Sequence, residues 1–115
     1  MYKIIFYKTR RGDILSLEFI DKLNLKAQVK IRKQILLLSE EGPRLKRPYV
    51  DYLRDGIYEL RVKFSPSDYR ILYFFFGKEN IIITHGFVKK TAKVPEKEVE
   101  KALMYKTEFE ERFKA

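Results

Sequence analysis

Cysteine and tryptophan are absent from this 115-residue chain, and histidine occurs once. Without cysteine there can be no disulfide framework, no thiolate zinc site and no thiol nucleophile, a composition that suits a reducing compartment. Long apolar runs are missing as well. The stretch from Ile4 to Tyr7 is too short for the hydrophobic region of a secretory signal, and nothing approaches the ~20 apolar residues of a membrane span. A soluble, cytoplasmic protein is expected, with no membrane partner. No glycine-rich phosphate loop, no cluster of metal ligands and no Ser/His/Asp arrangement can be found, which argues against nucleotide hydrolysis and metalloenzyme chemistry. Neither a metal nor a cofactor is expected.

What is there is apolar bulk and positive charge. Apolar residues make up 45% of the chain and Phe and Tyr together 15%, enough for one hydrophobic core, and residues 1–115 read as a single domain. The net charge of +9 is regional: residues 1–94 carry 20 Lys/Arg against 10 Asp/Glu, whereas residues 95–115 carry 5 against 6. A surface of this sign favours a polyanion or an acidic protein over a neutral small molecule, although the same charge also serves solubility.

The hydrophobic periodicity predicts an α+β fold. Tyr2 to Tyr7 reads as a strand, and Asp13 as the N-cap of a helix reaching Leu23 with Leu15, Phe19 and Ile20 on one face. After Asn24 a second helix is predicted over Lys26 to Glu40, its stripe being Ala27, Ile31, Ile35 and Leu38, stopped by Gly42-Pro43. So short a connection implies a helical hairpin. A basic loop, Arg44 to Pro48, leads to a short strand at Tyr49 to Leu53. Three strands follow, Ile57–Phe64, Tyr69–Phe76 and Ile81–Val88, with turns so short that they form an antiparallel meander. The two later strands are apolar on nearly both faces, as for central strands covered by helices on one side. Pro95 is placed at the first position of a last helix ending near Phe113.

Chemistry could gather on the meander. Glu59, Arg61 and Lys63 share a face because side chains alternate along a strand, and Arg70 follows just after a tight turn. Lys89 and Lys90 stand at the end of the last strand, and Lys46 and Arg47 in the basic loop could grip a phosphate backbone. Cleavage of RNA by the neighbouring ribose needs alignment, charge stabilisation at phosphorus and proton transfer. Guanidinium and ammonium groups serve the first two. For the third the candidates are Glu59, His85 or a Lys or Arg of altered pKa, and the spacing does not choose among them. Arg61 and Lys63 fit a solvated strand face equally well, Arg70 a structural ion pair, and His85 a hydrogen-bonded core residue.

The run Asp55-Gly56-Ile57-Tyr58-Glu59-Leu60-Arg61-Val62, then Asp68-Tyr69-Arg70-Ile71-Leu72-Tyr73, then His85-Gly86-Phe87-Val88-Lys89-Lys90-Thr91, resembles the RelE/ParE toxin superfamily. Within it the likeness is to the HigB-like branch that includes phage-derived Gp49-like proteins, and it extends through Pro95 and the stretch Glu98 to Ala102. The resemblance implies a RelE-like microbial RNase fold: an N-terminal strand, a two-helix hairpin, a mostly antiparallel sheet of about four strands and a C-terminal helix. It implies the toxin of a type II toxin–antitoxin system, a metal-independent mRNA interferase acting on messenger RNA in the ribosomal A site. A HigA-like helix-turn-helix antitoxin would be its partner, in a toxin–antitoxin hetero-oligomer. By position, Arg61, Arg70, Lys90 and Glu59 would be catalytic. Lys89, Lys63, His85, Lys46 and Arg47 would bind substrate. Replacing Arg70 by alanine should then abolish toxicity and leave the fold intact. The tyrosine that some superfamily members use to handle protons has no counterpart here, since Tyr105 lies too far along the last helix. Two other readings remain: a ParE-like toxin directed at DNA gyrase, and a non-catalytic RNA-binding module.

Overall fold

A computed structural model of the chain describes residues 1–114. Its elements are β1 (Lys3–Phe6), α1 (Leu15–Asp21), α2 (Leu25–Glu41), β2 (Val50–Arg54), β3 (Ile57–Phe64), β4 (Ser67–Phe76), β5 (Asn80–Val88) and α3 (Glu96–Phe113), with a 3-10 turn at Gly42–Arg44. The fold is α+β. No helix among the described residues is long and apolar enough to cross a membrane.

All five strands form one sheet in the order β1-β5-β4-β3-β2. β2 through β5 pair antiparallel as the short turns require, and β1 adds a fifth, parallel strand, with Ile5 opposite Ile82. The expected N-terminal strand thus joins the four expected antiparallel strands in a single sheet; its partner lies some eighty residues along the chain, a pairing that no local pattern encodes.

Helix boundaries moved for identifiable reasons. Asp13 does not cap α1. Its backbone N–H donates to Thr9 Oγ1 at 3.0 Å and its carbonyl accepts from the Thr9 N–H, closing a loop, so the helix begins after Ile14 with no side-chain cap. Asn24 does more than interrupt: its Oδ1 accepts from the Ala27 N–H at 2.9 Å and caps α2. Pro95 sits at the cap position of α3 rather than inside the first turn. Gly42 ends α2 at φ +55°, where an added Cβ would also run into the ring of Tyr2, so both backbone and space demand glycine.

Two cores flank the sheet, correcting the expectation of helices on one side only. On one face α1 and α2 bury Ile20, Ile31 and Leu38 against Leu60, Val62, Ile71 and Ile83. On the other, Ala102 and Phe109 of α3 pack on Leu72, Phe74 and Ile82. Each such side chain contributes about 1.5–3 kcal/mol by leaving water. The register between β4 and β5 slips between Leu72 and Tyr73, so Thr84 is an extra residue. This bulge reverses the alternation, and His85 and Phe87 face α3 together with Ile82. α3 covers only part of its face: the charged row of β3 lies beyond its N-terminal end.

Candidate functional site

That uncovered corner is a cleft of about 350 Å³ between the β2–β3 edge and the segment from Lys89 to Val99. Register builds its floor. Arg61 stands opposite Arg70, Lys63 opposite Asp68 and Glu59 opposite Leu72, so Glu59 and Arg70 are diagonal neighbours on one face. Arg70 Nη1 donates to Glu59 Oε1 and its Nη2 to Asp68 Oδ2, each at 3.1 Å. Both Arg70 and Glu59 are almost wholly buried, at 3% and 4% exposure, and Arg70 Nε has no partner. Burying one charge alone would be costly, so these groups are held as a network. Burial raises the pKa of the Glu59 carboxyl above the ordinary carboxylate range, against the pull of Arg70 and Arg61.

Arg61 differs from Arg70 in its freedom. It is half-buried and pairs with no carboxylate among the described residues. It lines the main cleft and also an adjoining hollow of about 260 Å³ shared with Pro48, Lys63, Asp68 and Arg70. Around the rim, Arg47 binds Asp51 at 2.5 Å, and Arg54 is tied to Asp55 and to Glu96 at the start of α3. Lys89 Nζ donates to the carbonyls of Thr91 (2.8 Å) and Ala92 (3.2 Å), which folds the segment before α3 over the cleft. Six cationic side chains line the cleft against three carboxylates. Such a lining concentrates anions, and Arg61 and Lys93 have no side-chain partner among the described residues to give up first.

Of the residues singled out in the sequence, Glu59, Arg61, Arg70, Lys89 and Arg47 meet in this cleft, and Lys63 lies in the adjoining hollow. Lys46 borders a third hollow, on the far side of Tyr52. Lys90 is exposed but lines none of these. His85 stands apart from the anion cleft. It is 2% exposed beneath α3, with Nε2 3.0 Å from Glu98 Oε1 and Nδ1 3.1 Å from Thr84 Oγ1. Burial lowers its pKa despite the Glu98 carboxylate; the side chain links α3 to β5, and a substrate cannot reach it without moving α3. Arg54, Lys93, Glu96 and Tyr52 were not foreseen. Arg54 directly precedes the Asp55-Gly56 turn, and that proximity to β3 was the one available signal.

Residues 18–106 match the family described as Phage derived protein Gp49-like (DUF891), a span from α1 into α3 that holds the whole cleft. The chain belongs to this family. Gp49-like proteins are RelE/HigB-like and are associated with the toxins of toxin–antitoxin pairs, and the architecture described above is compatible with the RelE-like fold. No curated protein matches the chain.

Proposed function

We propose that this Gp49-like protein is the toxin of a type II toxin–antitoxin pair and a metal-independent endoribonuclease of the mRNA-interferase kind. It works in the cytoplasm on messenger RNA in the ribosomal A site, and a small HigA-like helix-turn-helix antitoxin neutralises it. The observation that carries the reading is the juxtaposition of a buried carboxylate of raised pKa, Glu59, with an unpaired guanidinium, Arg61, in an open cationic cleft.

The chemistry follows from that pair. Glu59, through the carboxylate oxygen not held by Arg70, removes the proton of a ribose 2′-hydroxyl, a role favoured by a pKa raised toward the working pH. The 2′-oxygen attacks the adjacent phosphorus, the bond from phosphorus to the 5′-oxygen breaks, and the products carry a 2′,3′-cyclic phosphate and a 5′-hydroxyl. The leaving oxygen takes a proton from water in the open cleft. Arg61 and Lys89 stabilise the charge that builds on the phosphoryl oxygens, a task for which fixed cations need no metal. Arg70 positions Glu59. Lys63 and Lys90 hold flanking phosphates.

Primer extension on messages after induction of the protein tests this. Cuts confined to translated RNA are expected. Intact messages accompanied by DNA damage would instead indicate a gyrase-directed toxin, and undiminished toxicity of Glu59→Gln would indicate an RNA-binding module without catalysis.

A further inference from the structure

One exposed ring has no part in the mechanism above. Tyr52, on the edge strand β2, is 52% exposed. Its hydroxyl and its ring are both engaged. Its Oη accepts the Gly56 N–H at 3.0 Å across the β2–β3 turn. Its ring meets Tyr58 edge-on, with centroids 4.9 Å apart and planes at 66°, and Tyr58 in turn stacks on buried Tyr73 at 5.4 Å and 17°. The backbone register slips between Tyr52 and Arg54, which twists this edge out of the regular sheet.

Tyr52 borders two hollows, its ring packed with Tyr58 on the α1/α2 face of the sheet while Glu59 and Arg61 project from the other. On one side is the anion cleft with Glu59, Arg61 and Lys89. On the other is a hollow of about 470 Å³ that it shares with Pro43, Leu45, Lys46 and Arg47. Arg47 also lines both. A strand of RNA with its scissile phosphate at Arg61 that rounds the short edge strand would meet the ring of Tyr52 on the other face, with Lys46 and the Asp51-bound Arg47 beside a flanking phosphate. An exposed aromatic face beside cationic groups is the combination that binds single-stranded nucleic acid, since every base has a π-face.

We propose that Tyr52 is a base-stacking platform, and that the hollow beyond it, with Lys46 and Arg47, is a subsite for a nucleotide flanking the cleft, reached around the edge of β2. This rests on the RNA reading of the cleft. It assigns Tyr52 to substrate binding, not to the chemistry.

Fluorescence anisotropy with a labelled adenylate hexamer, 2′-O-methylated to prevent cleavage, tests it on the full chain. Tyr52→Ala should weaken binding about tenfold. Tyr52→Leu, which keeps an apolar contact with Tyr58, should weaken it as much, whereas Tyr52→Phe should stay within about threefold of the parent. On a hexamer with abasic sites in place of the bases, Tyr52→Ala should change nothing. Leucine binding as well as tyrosine, or an equal loss on the abasic strand, overturns the platform. If Arg61→Ala weakens binding of both strands while Tyr52→Ala weakens neither, the platform fails and the RNA reading survives. If the parent protein binds neither strand, the platform fails, while the RNA reading is decided by the primer extension on translated messages. A loss of binding to an antitoxin protein alone, with RNA affinity unchanged, also overturns the proposal.

Discussion

Arg70 and Glu59 form a buried ion pair across β3 and β4, Nη1 to Oε1 at 3.1 Å, beneath a guanidinium, Arg61, that has no carboxylate of its own. Two arginines at directly paired positions of the same sheet face therefore do different work. One is framework, and the other is open to a ligand.

Arg70→Ala should unfold the protein more readily instead of leaving the fold intact. It strands Glu59 and frees Asp68, and removing one partner of a buried pair costs about 3–5 kcal/mol. Urea denaturation checks this: a midpoint equal to that of the parent protein would mean that the pair does not contribute as the geometry requires.

Arg61→Ala, in contrast, should leave stability within about 0.5 kcal/mol, because no ion pair is broken, while lowering the cleavage rate about 10²- to 10³-fold. Single-turnover cleavage of a translated message alongside thermal melting separates the two effects. Full activity in a folded Arg61→Ala protein would remove this residue from the mechanism.

Glu59→Gln keeps an acceptor for Arg70 yet cannot take a proton, so a drop of about 10²- to 10⁴-fold in rate is expected with little change in fold. The parent's rate should climb with pH through a range above that of an ordinary carboxylate, since burial raises the Glu59 pKa and the base must be ionised. Stability runs the other way. The native protein binds this proton more tightly than the unfolded chain, so Glu59's contribution is full below the ordinary carboxylate pKa and is lost as pH rises through the raised one. A pH–rate profile that is flat in the parent between pH 4 and 8 would contradict the assignment.

Although the meander was legible in the sequence, its handedness of face was not. Strict alternation in β3 correctly gathered Glu59, Arg61 and Lys63, and Gly42 stopped α2 because only glycine tolerates that backbone. In β5 the same reasoning breaks down at Thr84, where one extra residue changes which side His85 and Phe87 occupy. Burial of Arg70 depended on Asp68 and Glu59 reaching it together, a matter of cross-strand register that spacing leaves open. Lys93 enters the cleft only because the segment before α3 folds back across the sheet, a long-range arrangement with no local signature.

His85 offers a stability test independent of catalysis. Its pKa is lowered in the fold, so the unfolded chain takes up a proton that the native protein resists. Its contribution is intact above the ordinary histidine value near 6.5 and is lost as pH falls below it. Comparing unfolding midpoints at pH 7.5 and 5.5, the parent should lose more stability than His85→Asn. Equal losses would show that this imidazole is already charged in the native protein.

The site occupies a sheet margin, and this has a bearing on solubility. A bare strand edge offers unpaired amides and carbonyls to any other extended chain, the usual beginning of aggregation. Here the β2 margin is short, kinked at Tyr52–Arg54 and fringed with Asp51, Arg54 and Asp55. The irregularity that leaves a ring and a set of charges exposed at this margin therefore also denies neighbouring chains a straight template on which to add.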